Sequence, residues 1–188
     1  MKRLIIIVLL FILLLGGAFV LYNRLSSEYS PEQLAAQPSP SAAVDAAPAV
    51  LAPDFTVYDA EGNAVMLSDF FGKPIVLNFW ASWCGPCKME MPDFNEKYLE
   101  LGNEVQFLMV NMTDGSRETV EIASEFIGAE GYSFPVFYDT DSDAAMTYKV
   151  YSLPATYFIA ADGSPVAQAT GAIDAATLMT GIEMIYSK

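Results

Sequence analysis

The first 52 residues and the rest of the chain differ in how apolar and polar residues alternate. Residues 4–22 carry no charge, and a run of this length is close to the roughly 20 residues that span a bilayer. Residues 23–52 are rich in Pro, Ala, Ser and Gln without apolar periodicity, which predicts a flexible tether. The chain is therefore predicted to have a membrane anchor at 1–22, a linker at 23–52 and one folded domain at 53–188.

Within the predicted domain, strand-like and helix-like patterns alternate. Segments 55–58 and 64–67 flank a polar, Gly-containing turn, which predicts a β-hairpin. The elements predicted after this hairpin are a helical turn at 68–71, strands at 75–80, 105–110 and 134–138, helices at 86–101, 116–127 and 143–148, a second hairpin of 155–159 and 165–169, and a helix at 174–186 with Asp174 as its N-cap. This order predicts an α/β fold, in which a central mixed β-sheet is flanked by helices.

The direction of the predicted anchor follows from its flanking charges. Lys2 and Arg3 precede the apolar run and only Arg24 closely follows it, which favours a cytoplasmic amino terminus and a domain outside the cell membrane. A cleaved signal peptide is the alternative, because Gly16 and Ala18 could form a small-residue cleavage site. No cysteine follows the run closely enough to carry a lipid anchor.

Cys84 and Cys87 are the only cysteines, and the chain has no histidine. Two sulfurs cannot complete a four-ligand zinc site, and Ser-His-Asp and Cys-His catalytic arrangements are excluded. A purely structural disulfide is the simplest alternative, but it would close too short a loop to restrict the unfolded chain much. A Cys-x-x-Cys pair between a buried strand and a helix instead predicts a redox dithiol.

Position within the predicted helix distinguishes the two sulfurs. Cys84 would lie at the helix N-terminus, where unpaired N–H groups and the helix dipole favour a thiolate, so we expect its pKa to lie below the usual value of about 8.5. Cys87, one turn further on, would be shielded. Cys84 is therefore the predicted exposed nucleophile, and Cys87 the thiol that resolves the mixed disulfide.

Charge argues against nucleic acid as a partner. Three of the nine basic and three of the 23 acidic residues precede residue 53, so the whole net charge of −14 falls on residues 53–188. Such a surface repels phosphate backbones. It is typical of a soluble domain, and a role in choosing basic partners is the alternative.

The sequence around the cysteines resembles a known family. Trp-Cys-Gly-Pro-Cys-Lys at 83–88 is similar to the thioredoxin active site, and the longer stretch 76–92 resembles membrane-anchored TlpA/ResA-type thiol–disulfide oxidoreductases. Residues 53–55 with Gly62 resemble that family's amino-terminal hairpin, and 134–136 and 151–159 resemble its later strands. The resemblance covers roughly residues 53–186 and implies a thioredoxin-like fold with an N-terminal β-hairpin extension.

The resemblance also implies roles for individual residues. Cys84 and Cys87 match the family's nucleophile and resolving cysteine, and Pro154 matches its cis-proline, beside which an extended substrate can pair. An ordinary strand-edge proline is the alternative for Pro154. The remaining residues expected to contact the substrate are Trp83, Gly85, Pro86 and Leu153.

Glu90 matches an acidic residue near the cysteines in the ResA branch. A carboxyl group in a low-dielectric site has a raised pKa and could exchange protons with Cys87. Thioredoxin has a buried Asp where this chain has Asn78, which cannot titrate, and this departure strengthens the case for Glu90. An ordinary exposed helix residue is the alternative for Glu90.

The resemblance implies a bacterial, membrane-tethered disulfide reductase that needs no cofactor or metal beyond the Cys84–Cys87 pair. Gly85-Pro86 between the cysteines matches the reducing members. Implied partners are disulfide-bearing protein clients, such as apocytochrome c or an exported methionine sulfoxide reductase, and a CcdA/DsbD-like membrane electron donor. The alternatives are a non-catalytic binding or chaperone module, and a thiol peroxidase, whose Pro-x-x-x-Thr-x-x-Cys context is missing.

Overall fold

The computed structural model describes residues 35–36 and 50–187. The predicted anchor at 1–22 lies outside the described residues, as does most of the predicted linker. Within the described part of the chain, no helix is both long enough and apolar enough to cross a membrane. Ala52 is already part of the domain, since it is buried and its N–H donates to the carbonyl of Gly163 at 2.8 Å.

The described residues form eight strands, four α-helices and one 3-10 helix. The strands are β1 (Ala35–Ala36), β2 (Thr56–Tyr58), β3 (Ala64–Met66), β4 (Ile75–Trp80), β5 (Gln106–Asn111), β6 (Val136–Tyr138), β7 (Ala155–Ile159) and β8 (Pro165–Thr170). The helices are α1 (Gly85–Leu101), α2 (Val120–Glu130), α3 (Asp143–Thr147) and α4 (Ala175–Ile185), and the 3-10 helix is Leu67–Phe70.

One sheet contains all eight strands in the order β1-β8-β7-β4-β5-β6-β2-β3. The β4–β5 and β5–β6 pairs are parallel, and the other pairs are antiparallel. The predicted mixed sheet is confirmed, and the predicted amino-terminal hairpin, β2–β3, extends its edge through β6. The short strand Ala35–Ala36 at the opposite edge, within the predicted linker, was not predicted.

The central strand β4 is buried on both faces and supplies side chains to two cores. Ile75, Leu77 and Phe79 belong to the core that also contains the hairpin and α3. Val76 and Trp80 belong to the core formed with α1, α2 and α4. Because side chains alternate along a strand, Asn78 faces the second core. Asn78 is therefore a buried amide that faces the side of the sheet covered by the cysteine-bearing helix.

Helix α2 begins later than its helical spacing predicted. The pattern indicated a helix from residue 116, but residues 116–118 instead form a turn around Asp114, whose Oδ1 accepts the N–H groups of residues 116, 117 and 118 at 2.7, 2.7 and 3.0 Å. Thr119 is the N-cap, and its hydroxyl accepts the Ile122 N–H. The aspartate satisfies N–H groups that a helical turn would have left unpaired.

Candidate active site

The two cysteines lie where β4 leads into α1. Cys84 is the N-cap of α1, and its Sγ accepts the backbone N–H of Cys87 at 3.2 Å. The N–H of Cys84 donates to the carbonyl of Ala81 at 3.1 Å, which closes a turn between strand and helix. Cys84 and Cys87 are joined as a disulfide. The sequence therefore placed the pair correctly, at a helix N-terminus with Cys87 one turn inside.

The exposure of the two cysteines differs less than predicted. Cys87 is fully buried, as expected, but Cys84 is only 4% exposed, so the prediction of an exposed Cys84 is wrong for the disulfide form. The sulfur lies over the helix N-terminus, bonded to Cys87. The residues next to Cys84 are more exposed than Cys84 itself: Trp83 is 42% exposed, and Gly85 and Pro86 are exposed as well.

Glu90 is buried on α1, three residues after Cys87. It is 2% exposed, so the alternative of an ordinary surface residue is wrong. Its Oε1 accepts from Asn78 Nδ2 at 2.8 Å, and its Oε2 accepts from the N–H of Ile173 at 2.9 Å. Burial raises the pKa of Glu90 from 4.5 to about 7, although the two hydrogen bonds oppose the shift. The carboxyl group can therefore gain or lose a proton near neutral pH.

Asn78 links Glu90 to the strand that follows Pro154. Its Nδ2 also donates to Thr156 Oγ1 at 3.0 Å, and both residues are fully buried. Among the described residues, Asn78 Oδ1 has no hydrogen-bond partner. We call Glu90, Asn78 and Thr156 the rear cluster. The side-chain amide of Asn78 is therefore held by hydrogen bonds at its nitrogen but not at its oxygen.

Pro154 lies at the same end of the sheet as the cysteines. Ala155 pairs with Phe79, so the residue before it lies beside the end of β4. The Leu153–Pro154 peptide is cis, and the Pro154 carbonyl accepts the Gly171 N–H at 2.9 Å. Pro154 is buried and Leu153 half-buried. The structure thus brings the predicted substrate-contacting residues to one end of the sheet.

A second buried glutamate, which the sequence did not identify, holds the loop before Cys84. Glu118 is fully buried. Its Oε1 accepts from Ser82 N at 2.7 Å and from Asn111 Nδ2 at 2.6 Å, and its Oε2 accepts from Ser82 Oγ at 2.6 Å. We call Glu118, Ser82 and Asn111 the front cluster. The signal in the sequence was Asp114-Gly115, a turn followed by the N-cap Thr119, which leaves Glu118 outside the helix.

Two cations lie against aromatic rings around the site. The guanidinium of Arg117 lies 3.9 Å from the centroid of the Trp83 ring, and Lys88 Nζ lies 5.1 Å from that of Phe126. Phe126 packs in turn on Trp80, which is fully buried. Cation–π contacts of this kind hold an exposed ring in place at modest energy. Trp83 is therefore restrained beside Cys84 although it is partly exposed.

A redox disulfide at the N-terminus of a helix, on a mixed α/β sheet, defines a class: the thioredoxin-like thiol–disulfide oxidoreductases. The chain belongs to the AhpC/TSA family, whose pattern matches residues 48–166. Among the described residues, no group of three or more Cys, Asp or Glu side chains is arranged to hold a metal ion.

Named relatives agree with this class. The chain is 40% identical over 123 residues to thiol-disulfide oxidoreductase ResA of Bacillus thuringiensis (strain Al Hakam), covering 64% of this chain and 68% of the relative. It is 34% identical over 135 residues to ResA of Geobacillus kaustophilus, covering 71% and 75%. The chain is thus an enzyme of the thiol–disulfide oxidoreductase type.

Solved structures show the same fold. StoA from Bacillus subtilis superposes with a TM-score of 0.61 at 28% identity, covering 72% of this chain and all of StoA. The pneumococcal exposed lipoprotein thioredoxin Etrx1 from Streptococcus pneumoniae gives a TM-score of 0.59 at 30% identity, covering 70% and 98%.

Proposed function

We propose that this chain is an extracytoplasmic, membrane-tethered disulfide reductase in which Cys84 attacks and Cys87 resolves. The observation that carries the assignment is the asymmetry of the pair. The Cys84 sulfur caps the helix and accepts an N–H there, whereas Cys87 is fully buried one turn inside. Donors directed at a sulfur stabilise its thiolate. Cys84 is therefore the sulfur prepared to attack.

The reduced enzyme carries out two exchanges. The Cys84 thiolate forms a bond to one sulfur of a client disulfide, the client S–S bond breaks, and the other client sulfur leaves as a thiolate. Cys87, once deprotonated, attacks the Cys84 sulfur and releases the first client sulfur. The client gains two electrons and two protons, and the enzyme ends with the Cys84–Cys87 disulfide. A membrane electron donor must then reduce this disulfide for another turnover.

Glu90 is the group proposed to exchange the proton of Cys87. Residues three apart on a helix lie on one face with their Cβ atoms about 5–6 Å apart, and a pKa of about 7 suits proton exchange at neutral pH. The rear cluster can accommodate Glu90 in either its protonated or its ionised form. A half-turn of the Asn78 amide would direct Oδ1, which has no partner in the part of the chain that the structure describes, towards a protonated Glu90 and the Thr156 hydroxyl, both of which can donate.

The client is proposed to bind across Trp83, Gly85, Pro86 and Leu153, next to the Leu153–Pro154 bond. Trp83, Gly85 and Pro86 adjoin the cysteines along the chain and are exposed, and Leu153 precedes the strand that pairs with β4. An extended client strand would pair with the backbone near Pro154. The Cys84 sulfur, only slightly exposed in the disulfide form, would be reached between these side chains.

The tether, clients and donor follow from the sequence and its resemblance. The uncharged run at 4–22 and the linker at 23–52 would hold the domain outside the cell membrane. Apocytochrome c cysteines or an exported methionine sulfoxide reductase are the proposed clients, and a CcdA/DsbD-like membrane protein is the proposed donor. In an oxidising compartment the pair stays a disulfide unless electrons are supplied.

Insulin reduction with dithiothreitol tests the proposal. We expect catalysis by the wild-type chain and none by Cys84→Ser, and we expect iodoacetamide to label Cys84 before Cys87 below pH 8. A reduction potential of about −270 mV for the Cys84–Cys87 pair would support a reductant, whereas one of about −120 mV would indicate an oxidant. A wild-type chain without catalysis would favour a binding module, and first labelling of Cys87 would overturn the assigned roles.

A further inference from the structure

Glu118 lies between the loop that carries the cysteines and the end of a neighbouring strand. Ser82, two residues before Cys84, donates both its backbone N–H and its hydroxyl to the Glu118 carboxylate. Asn111, the last residue of β5, donates its Nδ2 to the same carboxylate. Three donors at 2.6–2.7 Å satisfy a fully buried carboxylate. One side chain therefore ties the cysteine loop to the sheet.

The donors that meet Glu118 are themselves fixed. Ser82 N belongs to the backbone, and Asn111 Oδ1 accepts the Thr113 hydroxyl at 2.8 Å, so the Asn111 amide is held from both sides. Register places Asn111 directly beside Trp80, the residue from which the cysteine loop begins. Glu118 is thus anchored to the strand that supports the loop, and it has little freedom to move independently of that strand.

The turn that presents Glu118 is equally well determined. Asp114 Oδ1 accepts three consecutive N–H groups, including that of Glu118, and the Gly115 N–H donates to the Glu118 carbonyl at 3.0 Å. Gly115 has a φ of 71°, a conformation that a residue without Cβ adopts without strain. The neighbouring Arg117 stacks on Trp83 at 3.9 Å. The same turn therefore contacts two consecutive residues of the loop, Ser82 and Trp83.

We propose that Glu118 is a positioning residue for disulfide exchange: it fixes Ser82, and through the turn closed by Cys84 N and Ala81 O it fixes the Cys84 sulfur. This proposal rests on the assignment of Cys84 as the attacking sulfur. Rates of displacement reactions depend steeply on the alignment of the reacting atoms, and a misplacement of about 1 Å can cost about 100-fold. Loss of the tie should therefore slow exchange without removing any reacting group.

Three variants test the role. Glu118→Ala removes all three hydrogen bonds. Glu118→Gln keeps an acceptor for Ser82 N and Asn111, while its Nε2 can donate to the Ser82 hydroxyl, which can also accept. Glu125→Ala makes the same change at an exposed position of α2. The readouts are the second-order rate with which the reduced full-length chain reduces 5,5′-dithiobis(2-nitrobenzoate), and acrylamide quenching of tryptophan fluorescence. Quenching reports on Trp83, since Trp80 is fully buried.

We expect Glu118→Ala to slow exchange about tenfold or more and to increase quenching, and we expect Glu118→Gln and Glu125→Ala to stay within about threefold of wild type. A folded Glu118→Ala protein with wild-type rate and quenching would overturn the proposal. So would a Glu118→Gln protein as slow as Glu118→Ala, because charge rather than position would then matter.

A second variant decides the question if Glu118→Ala fails to fold. Ser82→Ala keeps one of the two Ser82 contacts and is expected to slow exchange about threefold and to raise quenching, whereas wild-type values for both would overturn the proposal. Failure of the proposed function gives a different result: the wild-type chain would show no exchange, or Cys87 would be labelled first, while the effect of these variants on Trp83 quenching would persist.

Discussion

Glu90 and Glu118 are both buried glutamates near the cysteine pair, yet the donors around them differ in number and in freedom to rearrange. Glu90 meets two donors, and one of them, the Asn78 amide, has an oxygen without a partner among the described residues. Glu118 meets three donors, and its Asn111 amide is held at both ends. The rear cluster can therefore rearrange when a proton is gained, whereas the front cluster has one arrangement. The number and freedom of the donors, rather than the residue type, separate the two glutamates.

The largest effect should follow from removing the fixed glutamate. Glu118→Ala leaves the part-buried Ser82 N and the buried Asn111 Nδ2 without an acceptor, and we expect it to lower the free energy of unfolding by about 4 kcal/mol. Urea denaturation at pH 8 measures the loss. Glu125→Ala should change stability by no more than about 0.5 kcal/mol. A loss below about 1 kcal/mol would show that the front cluster is not rigid.

In contrast to Glu118→Ala, Glu90→Gln should raise the free energy of unfolding, by an amount that depends on pH. Because the pKa of Glu90 is raised from 4.5 to about 7, the folded state binds more protons than the unfolded state between these values, so wild-type stability falls as pH rises through this window. Above pH 7 the cost is complete. The glutamine variant avoids it, so we expect it to be more stable than wild type by about 2–3 kcal/mol at pH 8 and nearly equal below pH 4.5.

Urea denaturation of the oxidised protein from pH 4.5 to 8 measures this difference, with the disulfide intact in both forms. The same substitution should alter the pH dependence of disulfide exchange. A stability difference that stayed constant with pH would show that Glu90 does not titrate in this range, and the contrast between the two clusters would then lose its basis.

Two threonines give the smallest and most selective test. The Thr156 hydroxyl accepts from Asn78 in the rear cluster, and the Thr113 hydroxyl donates to Asn111 in the front cluster. Valine at position 156 removes one hydrogen bond, and valine at position 113 removes the hydroxyl that donates to Asn111 Oδ1 at 2.8 Å and, more weakly, to the Asn111 carbonyl at 3.4 Å. Each substitution should cost about 1 kcal/mol. We expect Thr156→Val to change the pH dependence of stability and to leave Trp83 quenching unchanged. We expect Thr113→Val to increase Trp83 quenching and to leave the pH dependence of stability unchanged. Identical responses would mean that the clusters are not independent.

Most of the fold could be predicted because each element carries its own local signal. Alternation and the polar turn gave the hairpin, the apolar run gave β4, and Asp174 marked the start of α4, where it accepts the Thr177 N–H at 2.8 Å. The start of α2 was predicted wrongly, because the helical spacing was taken to begin at residue 116 although Asp114 pairs the N–H groups of residues 116–118. A side chain outside the helix decided where that helix begins.

The cysteine pair was predicted from the sequence for a similar reason: strand, Cys-x-x-Cys and helix are consecutive, so their relation is local. The exposure of Cys84 could not be predicted in this way. Its 4% exposure depends on the packing around the disulfide. Glu90 was found through resemblance and the absence of a titratable residue at position 78, but its burial was undecided until α1 was packed against the sheet.

The sequence by itself determined the redox pair, its place at a helix N-terminus and the mixed sheet behind it, because neighbours along the chain carry these features. Only the tertiary structure decided which polar residues surround the pair. Ser82 and Glu118 are 36 residues apart in the chain, and Asn78 and Thr156 are 78 apart. No spacing encodes such contacts. They arise when β4, β5 and β7 align in register and exclude water, so that each buried polar group must find its partner on another element.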